Sequence, residues 1–263
     1  MLARIARGQM QGHEVRRFLL AKTLVFWALI FAAWWTYPTE NHYSIMSHTF
    51  SFLGSFTDEH NPRWWWLFSV AMLFWALALV PLALYVHARF AALSPWGARI
   101  GAGLFLIASV GIALVALFPD APDPVFGAVR WTEIHEKGAV LTAVGFVFGI
   151  LWHAGLLVSA ALRPQHPAAA PLRHPRMVLP FVFWFGVAAA ATYNQVTWTL
   201  KYEAMKASAQ ASGESIRSSW GESLNTVYAF PLWENLVIYA LFAFLIAFVW
   251  SLSHSEPAPA RNR

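Results

Sequence analysis

The chain contains no cysteine. Disulfides, thiolate metal sites, iron–sulfur clusters and cysteine nucleophiles are therefore excluded, and cysteine usage says nothing about the redox compartment. Charge is also scarce: Asp, Glu, Lys and Arg make up 12% of the 263 residues, against roughly 25% in an ordinary soluble domain. That shortage excludes most soluble folds, whose helices carry a polar face. No internal repeat is evident, which argues against a transporter built from two related halves. The first apolar run has no A-x-A type exit, so it reads as a span and not as a signal peptide.

What the chain has in abundance is apolar surface. Hydrophobic residues make up 58%, with 15 tryptophans, and several runs stay apolar for the roughly 20 residues that a helix needs to cross a bilayer. The pattern predicts an all-α fold, a polytopic membrane helix bundle with six transmembrane helices. The expected spans are 18–37, 64–87, 100–118, 138–162, 178–200 and 232–252, flanked by tails at 1–17 and 253–263. Pro81 is expected to kink the second span or to be tolerated near its end. Pro122 and Pro124 forbid one continuous helix across 119–137. Helix is also expected within the polar segment 201–223.

The basic residues set the expected orientation. Arg4, Arg7, Arg16, Arg17, Lys22, Arg89, Arg99, Arg163, Arg173, Arg176, Arg261 and Arg263 fall on the side of the termini, and Arg63, Arg130, Lys137, Lys201, Lys206 and Arg217 on the other. By the positive-inside rule both termini are cytoplasmic and the protein sits in the cell inner membrane. Basic residues placed beside spans act as topology signals, so nucleic acid is not an expected partner. Of the carboxylates only Glu14 and Glu256 fall inside. The outer side collects the rest together with His42, His48, His60 and His135.

The first outer loop, Asn41 to Trp66, reads NHYSIMSHTFSFLGSFTDEHNPRWWW. At helical spacing Ser44, His48, Ser51 and Ser55 form one small, hydroxyl-lined stripe, and Ile45, Thr49, Phe52 and Phe56 form a second, mostly apolar one. A helix of roughly three turns is expected there, closed by Asp58, Glu59, His60 and Pro62. Other polar residues gather at the outer span ends. Thr192, Gln195, Thr199 and Tyr202 share a face with Asn194 beside it; Glu234 and Asn235 open the sixth span; and Thr132, His135 and Thr142 share a face near Glu136. These residues are expected to surround one outward-facing pocket that binds membrane lipid or an apolar small molecule.

Three chemical alternatives follow from the residue types. In a metal-dependent hydrolase acting on a lipid ester or amide, His48, His135 and Asp120 or Glu136 would ligate zinc, and Ser44, His48, Asp120 and Glu136 would be the catalytic set. In a haem protein, His48 and His135 on the outer side or His87 and His153 nearer the cytoplasm would supply axial ligands. In a proton-coupled carrier, Glu234 would be the coupling residue. Each has a plainer counterpart in hydrogen bonds between helices and in helix caps.

The spacing Ser44-x3-His48 is similar to the serine and histidine of the alkaline ceramidase and adiponectin-receptor superfamily, which implies zinc-dependent hydrolysis. That superfamily has seven spans and a paired H-x3-H near its C-terminus, and this chain has neither. Over nearly its full length the chain resembles six-span bacterial membrane families known only as domains of unknown function. HYSIMSHTFSFLGS, the LFPD after the third span and the IHEKGA before the fourth carry that resemblance, which implies a six-helix membrane fold and no assigned activity.

Overall fold

The computed structural model describes residues 2–57, 59–121 and 123–254. Asp58, Pro122, Glu256, Arg261 and Arg263 lie outside the described residues, as does most of the expected 253–263 tail.

Among the described residues, six helices are long and apolar enough to cross a membrane. They follow a short first helix, α1 (Leu2–Ala6), and are α2 (Gly12–Trp35), α3 (Trp66–Ala91), α4 (Pro95–Leu117), α5 (Trp131–Leu162), α6 (Leu179–Ser212) and, after a short α7 (Ser219–Ser223), α8 (Phe230–Ser253). The chain is an all-α polytopic bundle, as the apolar runs require. The helices outrun the expected spans. α5 and α6 have 32 and 34 residues, about 48 and 51 Å at 1.5 Å per residue, so both project beyond a hydrocarbon core of about 30 Å. The extension of α6 into 201–212 follows from its Ala, Lys, Glu and Met content, which favours helix after the apolar run has ended. Gly213 stops it in the left-handed region at φ +75°.

The interior explains the neighbour order. α3 packs against α4, α4 against α5, α2 against α3 and α8, and α6 chiefly against α8. Glycine sets the closest approaches: a Cβ on Gly111 would lie 2.5 Å from the Thr142 backbone nitrogen, and one on Gly145 would overlap the Ala108 backbone nitrogen. Small residues of this kind let helix backbones meet inside a bilayer, where apolar burial alone drives no association. Aromatic rings fill the centre, with Trp75 and Phe26 each tilted against Phe242 at 4.1 and 4.4 Å between centroids. α3 runs through Pro81 without ending.

The six helices divide the bundle into two ends. The terminal end holds α1 and the links between α3 and α4 and between α5 and α6; the loop end holds the other three links. The expected N-terminal tail is partly helical, and Gly8, at φ +67°, sits so close to α3 that a Cβ would lie 2.6 Å from Leu84 Cβ. Lys22 is a second correction. Counted above as a topology charge, it lies in the middle of α2 and is 1% exposed.

At the loop end, 119–137 is no continuous helix, as its prolines require. It contains an antiparallel pair, β1 (Pro124–Phe126) and β2 (Val129–Arg130), turned at Gly127 with φ +57°. The first loop does not form the expected three-turn helix. Among the described residues the loop forms one isolated turn over 44–48, where His48 N–H donates to the Ser44 carbonyl at 2.8 Å, and short 3-10 turns at Thr39–Asn41 and Phe50–Gly54. Its hydroxyls offer the backbone other partners: Ser44 Oγ accepts from Met46 N–H at 3.2 Å and Ser55 Oγ from Thr57 N–H at 3.3 Å. Such local bonds compete with the helical ladder. Thr49, at ψ 157°, then turns the chain extended.

Candidate functional site

The first loop closes on itself before it meets the helices. Thr36, at the end of α2, accepts from Arg63 N–H through its carbonyl and from Trp64 N–H through its hydroxyl, at 3.0 and 3.1 Å. Between those clamps three segments singled out in the sequence come together. Ser55 Oγ donates to the Asp120 carbonyl at 2.9 Å, Thr132 Oγ1 reaches Asp120 Oδ1 at 3.0 Å and the Ala121 carbonyl at 2.7 Å, and His135 Nδ1 donates to the Phe118 carbonyl at 2.9 Å. The first loop, the end of α4 and the start of α5 are thereby tied into one surface.

That surface carries an open cavity of about 310 Å³ lined by Phe52, Ser55, Thr57, Glu59, His60, Asp120 and Thr132. His60 lies flat on Phe52, ring centroids 3.8 Å apart and planes 12° apart. Its Nδ1 lies 2.8 Å from Tyr37 Oη and 3.3 Å from Asn41 Nδ2.

The hydrogen-bond chain behind the cavity fixes the tautomers. Asn41 Nδ2 lies 2.9 Å from the Glu59 carbonyl, which can only accept, so that atom is the amide nitrogen. Asn41 Oδ1 then accepts from His48 Nε2–H at 3.0 Å. A neutral His48 ring is left to accept at Nδ1, where Ser47 Oγ lies at 2.8 Å and Ser44 N–H at 3.4 Å. His60 Nδ1 likewise faces donors, so its proton sits on Nε2, which has no hydrogen-bond partner among the described residues. Burial pulls both rings below the ordinary histidine value; His60 adds to the effect at His48, while Glu59 and Asp120 oppose it at His60. Burial also holds the Tyr43 hydroxyl above its ordinary range. The network is therefore uncharged apart from its carboxylates.

Asn235, fully buried in the first turns of α8, anchors the network to the bundle. Its amide nitrogen donates to the carbonyls of His48 (3.0 Å) and Pro231 (2.8 Å), and its oxygen accepts from the hydroxyls of Tyr43 (3.1 Å) and Tyr239 (3.2 Å). All four hydrogen-bonding positions of the amide are used. The loop before α8 adds Asn225 N–H to the Met46 carbonyl at 3.0 Å.

The expected single pocket is thus corrected. Of the residues named for it, Thr132 lines the cavity, beside Asp120 of the expected zinc and catalytic sets; His48 stands behind Asn41, and Asn235 is a structural hub. Asn194, Thr192 and Thr199 bond back to the carbonyls of Ala190, Ala188 and Gln195 in their own helix. Gln195 and Tyr202 reach the Tyr228 and Arg217 carbonyls beside α6. Glu136 is exposed, and Ser44 bonds to its own loop. Glu234 is the neighbour of the hub residue in α8, and its buried Oε2 finds no partner among the described residues.

The zinc set does not assemble. Among the described residues no three His, Asp or Glu side chains come close enough to hold a metal ion. His48 and His135 are committed to different partners, on Asn41 and Phe118. His153 donates from Nδ1 to the Gly149 carbonyl at 2.7 Å, is stacked on Phe105 at 4.9 Å, and presses its Nε2 edge against Gly101, where a Cβ would lie 2.8 Å away. No space remains beside it for a macrocycle. Tyr37, Asn41, Glu59 and His60 belong to the site but follow no period; only the carboxylates and histidines crowded between two spans signalled them.

Compared with known proteins, the chain matches no family model, no curated protein and no solved structure.

Proposed function

We propose that this multi-pass protein sits in the cell inner membrane with its loop end outward and binds there the cationic head of an amphiphile, an amine-bearing lipid or a small molecule of the same chemistry. One observation carries the reading: among the described residues the cavity wall contains two carboxylates, Glu59 and Asp120, and no lysine or arginine. A site that holds negative charge against low-dielectric walls concentrates cations. Asp120 is the better placed of the two. Thr132 holds one of its oxygens, which leaves the other for a ligand N–H, while Glu59 is exposed. The neutral His60 offers an N–H to a ligand oxygen, and Phe52 gives a flat apolar wall. The outward orientation rests on the basic residues of the terminal end, which outnumber those of the loop end even without Lys22.

The test is binding of dodecylammonium and of dodecyl sulfate to the purified protein in a non-ionic detergent, followed by calorimetry. The ammonium should bind more tightly, and Asp120→Asn should weaken it about 10-fold, the effect of losing one charge-assisted hydrogen bond. Asparagine keeps an oxygen for Thr132, so the fold is preserved. Equal affinity for both head groups, or an unchanged affinity in Asp120→Asn, would overturn the reading.

A further inference from the structure

A second recess lies on the opposite flank of the bundle, between α6 and α8. It has a volume of about 520 Å³ and is lined by Phe183, Gly186 and Ala190 of α6 and by Trp233, Tyr239 and Ala243 of α8, among others. Small residues make it: a Cβ on Gly186 would meet nothing within 4 Å. Its few polar atoms are turned away from it. Trp233 Nε1 donates to the Val227 carbonyl at 2.7 Å, and Tyr239 Oη donates to Asn235 at 3.2 Å. The wall left behind is apolar.

Its extent identifies the occupant. α8 starts at the loop end, and the eleven residues from Trp233 to Ala243 rise about 15 Å, half of a hydrocarbon core of about 30 Å. The recess therefore runs from the loop-end interface to the middle of the bilayer, the depth of one leaflet. A transmembrane helix of a second copy would need a seam running through the whole thickness. An acyl chain of a lipid in that leaflet needs only this half. We infer that the groove between α6 and α8 is a binding site for one acyl chain of a lipid in the leaflet at the loop end, distinct from the fluid lipid around the other helices. The site goes beyond the head-group cavity and does not depend on the cationic reading of it. The two regions are joined, because Tyr239 in the groove wall and His48 behind the cavity are both held by Asn235.

The experiment places the protein in vesicles of phosphatidylethanolamine and phosphatidylglycerol in which a fraction of the lipid carries a photoreactive diazirine along one acyl chain. Labelled residues are mapped by mass spectrometry of the digested protein. Labelling of Gly186, Ala190 and Leu236 should exceed that of Val144, Phe148 and Leu151, exposed residues of α5, by about 10-fold. Gly186→Phe, which fills the groove without striking the backbone, should bring the groove down to the α5 level. Even labelling of α5 and the groove would overturn the site. So would a disulfide-linked dimer of a Gly186→Cys variant, whose thiol would be the only one in the chain, because a second copy would then occupy the groove.

Discussion

Buried polar groups at the loop end and at the middle of the bundle are treated in opposite ways. At the loop end Asn235, His48, Asn41, Tyr43 and Ser55 all have partners, drawn from several elements. Inside the bundle Lys22 Nζ, Thr23 Oγ1 and Trp75 Nε1 at mid-depth, and His153 Nε2 nearer the terminal end, have none among the described residues. The difference follows from what carries each group. A loop segment can shift by an ångström to meet a partner, whereas a side chain on a helix clamped by glycine contacts stays where the register puts it. Polar satisfaction therefore marks the region whose shape is specified by hydrogen bonds, and orphaned atoms mark the region specified by packing. Glu234 Oε2 and Ser69 Oγ, orphaned among the described residues, are exceptions at the loop end, and Ser109, whose hydroxyl donates to the Ala76 carbonyl at 2.7 Å, is an exception within the bundle.

The largest effect should come from removing the hub. Asn235→Leu keeps the volume of the side chain and leaves the Tyr43 and Tyr239 hydroxyls and the His48 carbonyl without their partner. Each unpaired group costs about 1–3 kcal/mol, so the variant should lose about 4 kcal/mol and the first loop should become protease-sensitive. Thermal unfolding in detergent checks the first and limited digestion the second. A variant as stable as the parent would mean that the loop end is specified by packing after all, and the contrast would fall.

His48 sharpens the same comparison at one residue. Its Nε2–H serves Asn41 and its Nδ1 serves Ser47. Glutamine can still donate to Asn41, so His48→Gln should cost about 1 kcal/mol and leave the cavity formed, while His48→Leu should cost about 2 kcal/mol and weaken ligand binding by releasing Asn41. Equal stability of the two variants, measured by the denaturant midpoint, would remove the hydrogen-bond chain as the cause.

These two residues also show how far the sequence could be read. Apolar runs gave the six helices because crossing a bilayer needs length and hydropathy, and both are local properties. The ends were less legible: α6 continues to Ser212 on helix propensity after hydropathy has ended. Helical spacing put His48 on a stripe with Ser44 and Ser55, but the hydroxyls that defined the stripe bond to nearby backbone and break the helix. Asn235 was legible as a buried polar residue, yet its role as hub depends on the meeting of α8 with a loop nearly two hundred residues earlier. Periodicity carries no trace of such a meeting. Lys22 misled because a lone lysine near the start of a span looks like a topology charge until its burial is known.

A smaller effect should appear with pH. Burial holds His48 and His60 below their ordinary value of 6.5, so as pH falls the unfolded chain takes up protons before the folded one. The stability tied to the neutral rings is fully present above about pH 6.5 and is lost progressively as pH falls below it towards the folded values. The unfolding temperature should therefore drop between about pH 7 and pH 5, and His60→Gln should flatten that slope. An unchanged slope in a variant lacking both imidazoles would place the sensitive group elsewhere.

The smallest effect is expected at Lys22, where the comparison predicts that removing a buried polar group does almost nothing. Its amine lies 4.7 Å from the Phe242 ring centroid and 5.5 Å from that of Trp75, with no carboxylate partner among the described residues. Where a buried charge lacks a paired and hydrogen-bonded partner, a well-packed apolar residue of similar volume is neutral or stabilising. Lys22→Met keeps the unbranched shape between the two rings and removes the group that needs solvation. Its stability should lie within about 1 kcal/mol of the parent, on the stabilising side. Lys22→Arg should be strongly destabilising, because the guanidinium is larger and stays charged. A loss above about 2 kcal/mol in Lys22→Met would mean that the amine has a partner such as an internal water or a bound anion. The middle of the bundle would then be a second polar site, and the division between a hydrogen-bonded end and a packed interior would no longer hold.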